Sequence, residues 1–193
     1  MRRGHPLRST ERRRTVEHKG DTVFTERLCL RPWREEDAEA LWRLASDPEV
    51  CRNAGFPLHG SVEESRGVIA AFYSVPFQYA VCDKEEGRLL GGAGISRGRM
   101  GSFPLKKGEG EIGIWLGRAH WRQGFGSEIL RKLLRVCLEE LGCIRVYACA
   151  YRDNEASIRM QLKCGLMPYG TVKNATNPFD GMPVEKLVFC FEK

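Results

Sequence analysis

No apolar run in this 193-residue chain approaches the ~20 residues that a membrane-crossing helix needs. The N-terminus also lacks the apolar stretch of a secretory signal peptide. No CxxC pair occurs, and His5, His18, His59 and His120 are scattered, so no Cys/His group stands at zinc-ligand spacing and no metal is expected. Beyond a short arm, the chain has almost no excess of either charge. Residues 1–20 hold seven basic and two acidic side chains, a charge of +5, whereas residues 21–193 hold 24 basic and 23 acidic ones, a charge of +1. A globular nucleic-acid binder needs a broad unpaired basic face, and the body lacks the residues for one. No membrane partner is expected, and none of nucleic acid for the body.

What is present is ordinary globular material. With 42% hydrophobic residues, residues 21–193 suit one domain with a full core, as a monomer or homodimer. Residues 1–20 read first as a basic disordered arm and second as a targeting segment, Arg-rich but interrupted by Pro6, Glu11 and Glu17. A native start downstream of the arm is the third reading. The eight cysteines sit inside apolar patterns such as Leu28-Cys29-Leu30 and Val136-Cys137-Leu138, where free cysteine acts as a small buried hydrophobe. That usage points to the cytoplasm.

Alternation and spacing divide the body. Strands are expected over 23–31, 78–83, 89–97, 111–116, 144–151, 166–173 and 184–191, with an acidic hairpin turn, DKEEG, between the second and third. Helices are expected over 35–45, ended by Asp47-Pro48, and from a capping box at Ser61 to about Tyr73. Another is expected over 127–141, with Leu130, Leu133, Leu134, Cys137 and Leu138 on one face, and a short one over 155–163. Residues 51–60 read as a loop. The order of these elements predicts an α/β chain with a mixed sheet and helices on both faces.

Three places carry chemistry. Trp121-Arg122-Gln123-Gly124-Phe125-Gly126-Ser127 joins a strand to a helix. Its glycines and the free N–H groups of a helix start could cradle a pyrophosphate, or simply make a tight turn. The stretch is neither GxGxxG nor GxxxxGK[ST], so neither a dinucleotide fold nor a P-loop is supported there. Asn154 begins a helix, where it is either a plain N-cap or an amide reaching a ligand beside the strand. Glu111 shares a strand face with Gly113 and Trp115, opposite the core residues Ile112, Ile114 and Leu116. It is either a base or a solvated edge charge like Glu109.

WRQGFGSE before an amphipathic helix, and N-x-x-S-x-R-x-x-x-K-x-G at residues 154–165, resemble the acetyl-CoA signatures of the GNAT superfamily of N-acetyltransferases. TERLCLRPWREEDAEALWRLASDPEV and EIGIWL resemble its ribosomal-protein-alanine N-acetyltransferase branch more narrowly, and the likeness runs from about Thr25 to Phe191. The resemblance implies a mixed, mostly antiparallel sheet of about six to seven strands, splayed between the strand ending at Leu116 and that starting near Ile144. It implies acetyl-CoA as co-substrate, with its pantetheine arm against the backbone of Trp115 and Leu116. Its pyrophosphate would meet the N–H groups of Gln123, Gly124, Phe125, Gly126 and Ser127. Asn154 would reach the pantetheine with Ser157 nearby, and Arg122 and Arg159 would neutralise phosphate. The family's frequent general-acid tyrosine is Gln161 here, which leaves Ser157, Tyr151 or solvent to reprotonate the thiolate.

The implied reaction is attack of a neutral amine on the acetyl thioester, with Glu111 as the candidate base. Deprotonating an α-amine of pKa ~8 at pH 7 costs about 1.4 kcal/mol, against about 4.6 kcal/mol for a lysine of ~10.4. An α-amine is therefore favoured. Asn53, Phe56, Phe103 and Phe179, on loops bordering the amine site, are candidate contacts. The expected acceptor is a protein N-terminus. The alternatives are a small-molecule amine such as a polyamine or antibiotic, or a non-catalytic acyl-CoA-binding module with an RNA-binding arm.

Overall fold

A computed structural model describes residues 22–193, so the basic arm lies outside the described residues. The sheet begins with Val23–Phe24 (β1) antiparallel to Leu28–Pro32 (β2). One continuous strand is expected from the apolar pattern here, but residues 25–27 turn out of it. The Thr25 N–H bonds the Leu28 carbonyl at 2.9 Å, and the Arg27 N–H leaves the sheet for the Glu128 carboxylate, also at 2.9 Å.

Glu35–Asp37 forms a 3-10 turn that runs into Ala38–Ala45 (α1). Asp47-Pro48 does not simply stop this helix. It starts a second one, Pro48–Ala54 (α2), in residues expected to be partly loop. Asp47 Oδ1 accepts the Glu49 N–H at 3.0 Å, and proline fits the first helical position because no partner exists there for the N–H it lacks. Val62–Val68 (α3) follows its Ser61 cap and widens into a π-type turn over Ile69–Tyr73.

Gln78–Asp83 (β3), Leu89–Ser96 (β4) and Glu109–Leu116 (β5) extend the sheet antiparallel, β3 pairing with β2. Phe125–Arg135 (α4), continued by a π-type turn at Val136–Glu140, carries the chain over to Arg145–Tyr151 (β6), which is parallel to β5. Glu155–Lys163 (α5), Met167–Thr176 (β7) and Pro183–Glu192 (β8) complete the fold. The sheet order is β1-β2-β3-β4-β5-β6-β8-β7, eight strands where six to seven were expected, because the first splits in two.

Helices cover both faces. On one, Ile129, Leu130 and Leu133 of α4 are wholly buried against Leu28, Leu30, Val81 and Val146. On the other, Leu41 and Ala45 of α1 and Ile69 lie on Ala80, Cys82 and Leu89. Each buried leucine, isoleucine or valine among them contributes about 1.5–3 kcal/mol by leaving water. A smaller cluster on this second face joins Leu105 and Phe103 of the 97–108 loop to Tyr147, Val188 and Cys190.

Two contacts outside the core have testable weight. Gly55 ends α2 at φ +76°, and a Cβ there would run into the Tyr151 hydroxyl on β6. Gly55→Ala should cost about 1–2 kcal/mol from the left-handed backbone alone, and more from the collision. Urea unfolding should show Gly55→Ala/Tyr151→Phe recovering the steric part and not the backbone part. Burial alone would raise the pKa of Glu128, but hydrogen bonds from Thr25 Oγ1, the Arg27 N–H and the Arg27 guanidinium hold it below the ordinary carboxylate value. A group with a depressed folded pKa stabilises the fold above its unfolded pKa, and the gain is lost as pH falls through the folded value. Glu128→Gln should therefore lower stability at neutral pH and flatten its decline between about pH 5 and 3, as measured by unfolding across that range.

Candidate active site

The parallel pairing of β5 with β6 is short. Glu109, Gly110 and Glu111 face Arg145, Val146 and Tyr147, and the strands then part. Antiparallel pairing turns alternate residues toward and away from a neighbour. Because the Gly117 N–H bonds Leu90 O, the register directs the backbone groups of Trp115 at Gly92, and those of Ile114 and Leu116 into the gap. Of the two residues expected to offer backbone, Leu116 faces the gap and Trp115 does not. Across it, the Arg152 N–H to Glu185 O bond likewise sets Cys149 and Tyr151 facing inward.

At one end of the gap lies the start of α4. Arg122 at φ +60° and Gly124 at φ +83° are left-handed, between an extended Trp121 and the helical Phe125, and the turn they make brings successive N–H groups to the start of α4. The six N–H groups from Arg122 to Ser127 donate to no group among the described residues. The loop is braced from two sides. Trp121 Nε1 donates to Leu116 O at 2.7 Å, and Gln123 Nε2 to Ala119 O at 2.7 Å. Arg27 donates to Gln123 O at 3.0 Å, lies 4.3 Å over the Phe125 ring and pairs with Glu128 at 2.7 Å. Arg27 and Thr25 were not legible as site residues, since nothing in the local pattern joins them to a segment a hundred residues on. The exposed Arg122 guanidinium has no ion-pair partner among the described residues, whereas Arg159 is engaged by Glu155 at 2.7 Å.

At the end of β6, Asn154 Oδ1 accepts the Ser157 N–H at 3.1 Å, so it is an N-cap, and its Nδ2 makes no bond among the described residues. Gln161 Nε2 donates to Ser157 Oγ at 3.1 Å and to Cys149 O at 3.2 Å. Gln161 is 1% exposed, too enclosed for its unpartnered Oε1 to face the gap. Tyr151 is also buried, and burial with the charges of Asp180 and Asp153 raises its pKa, keeping the phenol protonated at neutral pH.

Glu111 is 8% exposed, which removes the reading of a solvated edge charge. Its Oε1 accepts from Ser102 Oγ and its Oε2 from the Ser102 N–H, both at 2.6 Å. Glu109 is buried too, held by Tyr147 Oη at 3.2 Å and the Lys106 N–H at 2.8 Å. Beside Glu111 on the same face Gly113 is exposed, and a Cβ there would meet nothing within 4 Å. Burial and the Glu111 charge push the Cys149 thiol up to about 12.

Three loop aromatics pack on protein. Phe56 meets Trp115 edge-on at 5.3 Å, Phe103 meets Tyr147 at 5.2 Å, and Arg52 lies 5.1 Å over Phe179. Asn177 Nδ2 donates to Arg52 O at 3.1 Å, bringing the 177–182 loop between β7 and β8 onto α2. Asn53, half-buried on α2, makes no side-chain hydrogen bond among the described residues. Among those residues no group of His, Cys, Asp and Glu is placed to hold a metal, and no helix is long and apolar enough to cross a membrane.

This geometry has known relatives. The profile of the acetyltransferase (GNAT) domain family matches residues 27–167. YoaA of Bacillus subtilis, an uncharacterized N-acetyltransferase, is 29% identical over 174 residues, 88% of this chain and 95% of its own length. A GNAT-family acetyltransferase from Bacillus anthracis superposes with a TM-score of 0.77 at 20% identity, over 89% of this chain and 98% of that one. Mycobacterium smegmatis RimJ, solved with CoA-disulfide, superposes with a TM-score of 0.70 at 20% identity, over 89% and 87% of the two chains. These two are likenesses of fold. With the family profile matched over most of its body, the chain belongs to the GNAT family of acetyltransferases, which use acetyl-CoA as co-substrate.

Proposed function

We propose that the chain transfers the acetyl group of acetyl-CoA to a protein N-terminal α-amine by direct attack, with Glu111 as base. The reading is carried by one juxtaposition: a run of six N–H groups with no partner among the described residues lies at the end of the β5–β6 gap, and a buried carboxylate stands beside the bare floor at Gly113.

The pyrophosphate fits the N–H groups of Gln123, Gly124, Phe125, Gly126 and Ser127, with the positive end of α4 and the free Arg122 adding favourable charge. The inward backbone of Leu116 and the free Nδ2 of Asn154 suit the amides of a pantetheine arm, with Ser157 adjacent. When bound, acetyl-CoA supplies an activated acyl group. Glu111 takes the proton that the amine sheds, directly or through one water, and the Ser102 bonds keep the carboxylate aimed. The base has only to make up the modest ~1.4 kcal/mol that an α-amine needs at pH 7. Eight free thiols accord with a reducing compartment, and we place the enzyme in the cytoplasm. The arm of residues 1–20 is proposed to be dispensable, so its deletion should leave acetylation of a small amine intact.

Release of free CoA thiol across a panel of N-terminal peptides, polyamines and aminoglycosides tests the acceptor. Peptides should give the highest kcat/KM, and a polyamine or aminoglycoside ahead of every peptide would assign a small-molecule acceptor. Glu111→Gln should lower kcat/KM about a hundredfold, increasingly as pH falls below the pKa of the amine, while the Kd for acetyl-CoA measured by calorimetry stays within about twofold. Gly124→Ala should act in the opposite sense. The left-handed backbone it disturbs costs ~1–2 kcal/mol, so acetyl-CoA should bind about tenfold more weakly.

A further inference from the structure

Gln78 opens β3 and pairs with Gly94, which pairs in turn with Gly113 on β5. The three form one row across the sheet, on the face that carries Glu111 and Trp115. Two of them have no side chain, and the third lies down over the first gap. A Cβ on Gly94 would stand 2.6 Å from both Cδ and Nε2 of Gln78, and closer still to Oε1, so the carboxamide rests on the bare Gly94 backbone. That carboxamide is half-buried, yet it donates to and accepts from no group among the described residues. The next strand lies ~4.8 Å away, which sets the amide about one strand spacing from the open floor at Gly113. Glu111 and Trp115 flank that floor.

The residue before it is held unusually. Phe77 sits at φ +65°, a region that costs a bulky side chain about 1–2 kcal/mol. Its carbonyl nonetheless accepts the Ile95 N–H at 2.9 Å, which anchors the turn that delivers Gln78 to the row. Backbone strain next to an idle polar group is a pattern associated with binding sites.

We propose that Gln78 reads the acceptor. Its carboxamide offers a donor and an acceptor side by side, the complement of a peptide group. An α-amine over Gly113 places the amide that follows it within a single Cα–Cα step, ~3.8 Å, which brings that amide to Gln78. The acceptor class selected is thus an amine followed by an amide, in preference to an isolated alkylamine. The inference rests on the reading that the reacting amine lies over Gly113 beside Glu111.

The test compares alaninamide with propylamine as acceptors for the full chain and for Gln78→Leu and Gln78→Met, following thiol release at saturating acetyl-CoA. The ratio of kcat/KM for alaninamide over propylamine should fall about tenfold in both variants, the effect of losing one or two hydrogen bonds. The KM for acetyl-CoA should stay that of the parent, which a general loss of folding would not allow. A ratio unchanged from the parent overturns the role of Gln78 and leaves acetyl transfer standing. No turnover of either amine by the parent overturns the reading of the amine site, and the role of Gln78 with it.

Discussion

Each backbone N–H and C=O in a sheet needs a partner, and β5 and β6 deny one another most of theirs by parting after Glu111 and Tyr147. The structure supplies substitutes one at a time. The Trp121 indole takes Leu116 O, Gln161 Nε2 takes Cys149 O, and the Asn154 N–H takes Tyr151 O at 2.9 Å. Each comes from the segment that follows its strand, so the same contacts that pacify the gap also fix the starts of α4 and α5 at its rim. The N–H groups of Ile114 and Leu116 receive no such cover among the described residues. On the function proposed above, an extended ligand with amides of its own would pair with this edge.

Charge at the rim obeys a second constraint. Glu128 lies in the first turn of α4, where a carboxylate is favoured by the helix dipole but would repel an incoming anion. Arg27 and Thr25 absorb that charge, and Arg27 continues over Phe125 to the loop carbonyl of Gln123. A half-exposed ion pair of this kind is worth at most about 1 kcal/mol to stability. Its larger consequence is positional: among the described residues, the six N–H groups and Arg122 are left with no carboxylate engaging them.

Elements with a strong period were legible in the sequence. The apolar stripe of α4 and the two faces of β5 are where spacing puts them, because burial alone determines them. What periodicity does not encode was missed. The break at residues 25–27 depends on Glu128, and the burial of Glu111 depends on Ser102 from an irregular loop. Asp47-Pro48 supports two local meanings, a stop and a start, and only the chain beyond it decides. Gln78 carries no motif at all. Its position matters because Gly94 and Gly113, on two other strands, leave room beside it.

The thiol nearest the carboxylate bears on the route of transfer. Cys149 faces Glu111, and an acetyl-cysteine path would require it as thiolate. Burial and the neighbouring negative charge push that thiol up to about 12, so deprotonation at pH 7 costs about 7 kcal/mol. An α-amine reaches its nucleophilic form for about 1.4 kcal/mol under the same conditions. The difference, over 5 kcal/mol or roughly four powers of ten, falls on the side of direct attack. The carboxylate proposed above as the base is thus also a charge that, after burial, holds the cysteine in its thiol form.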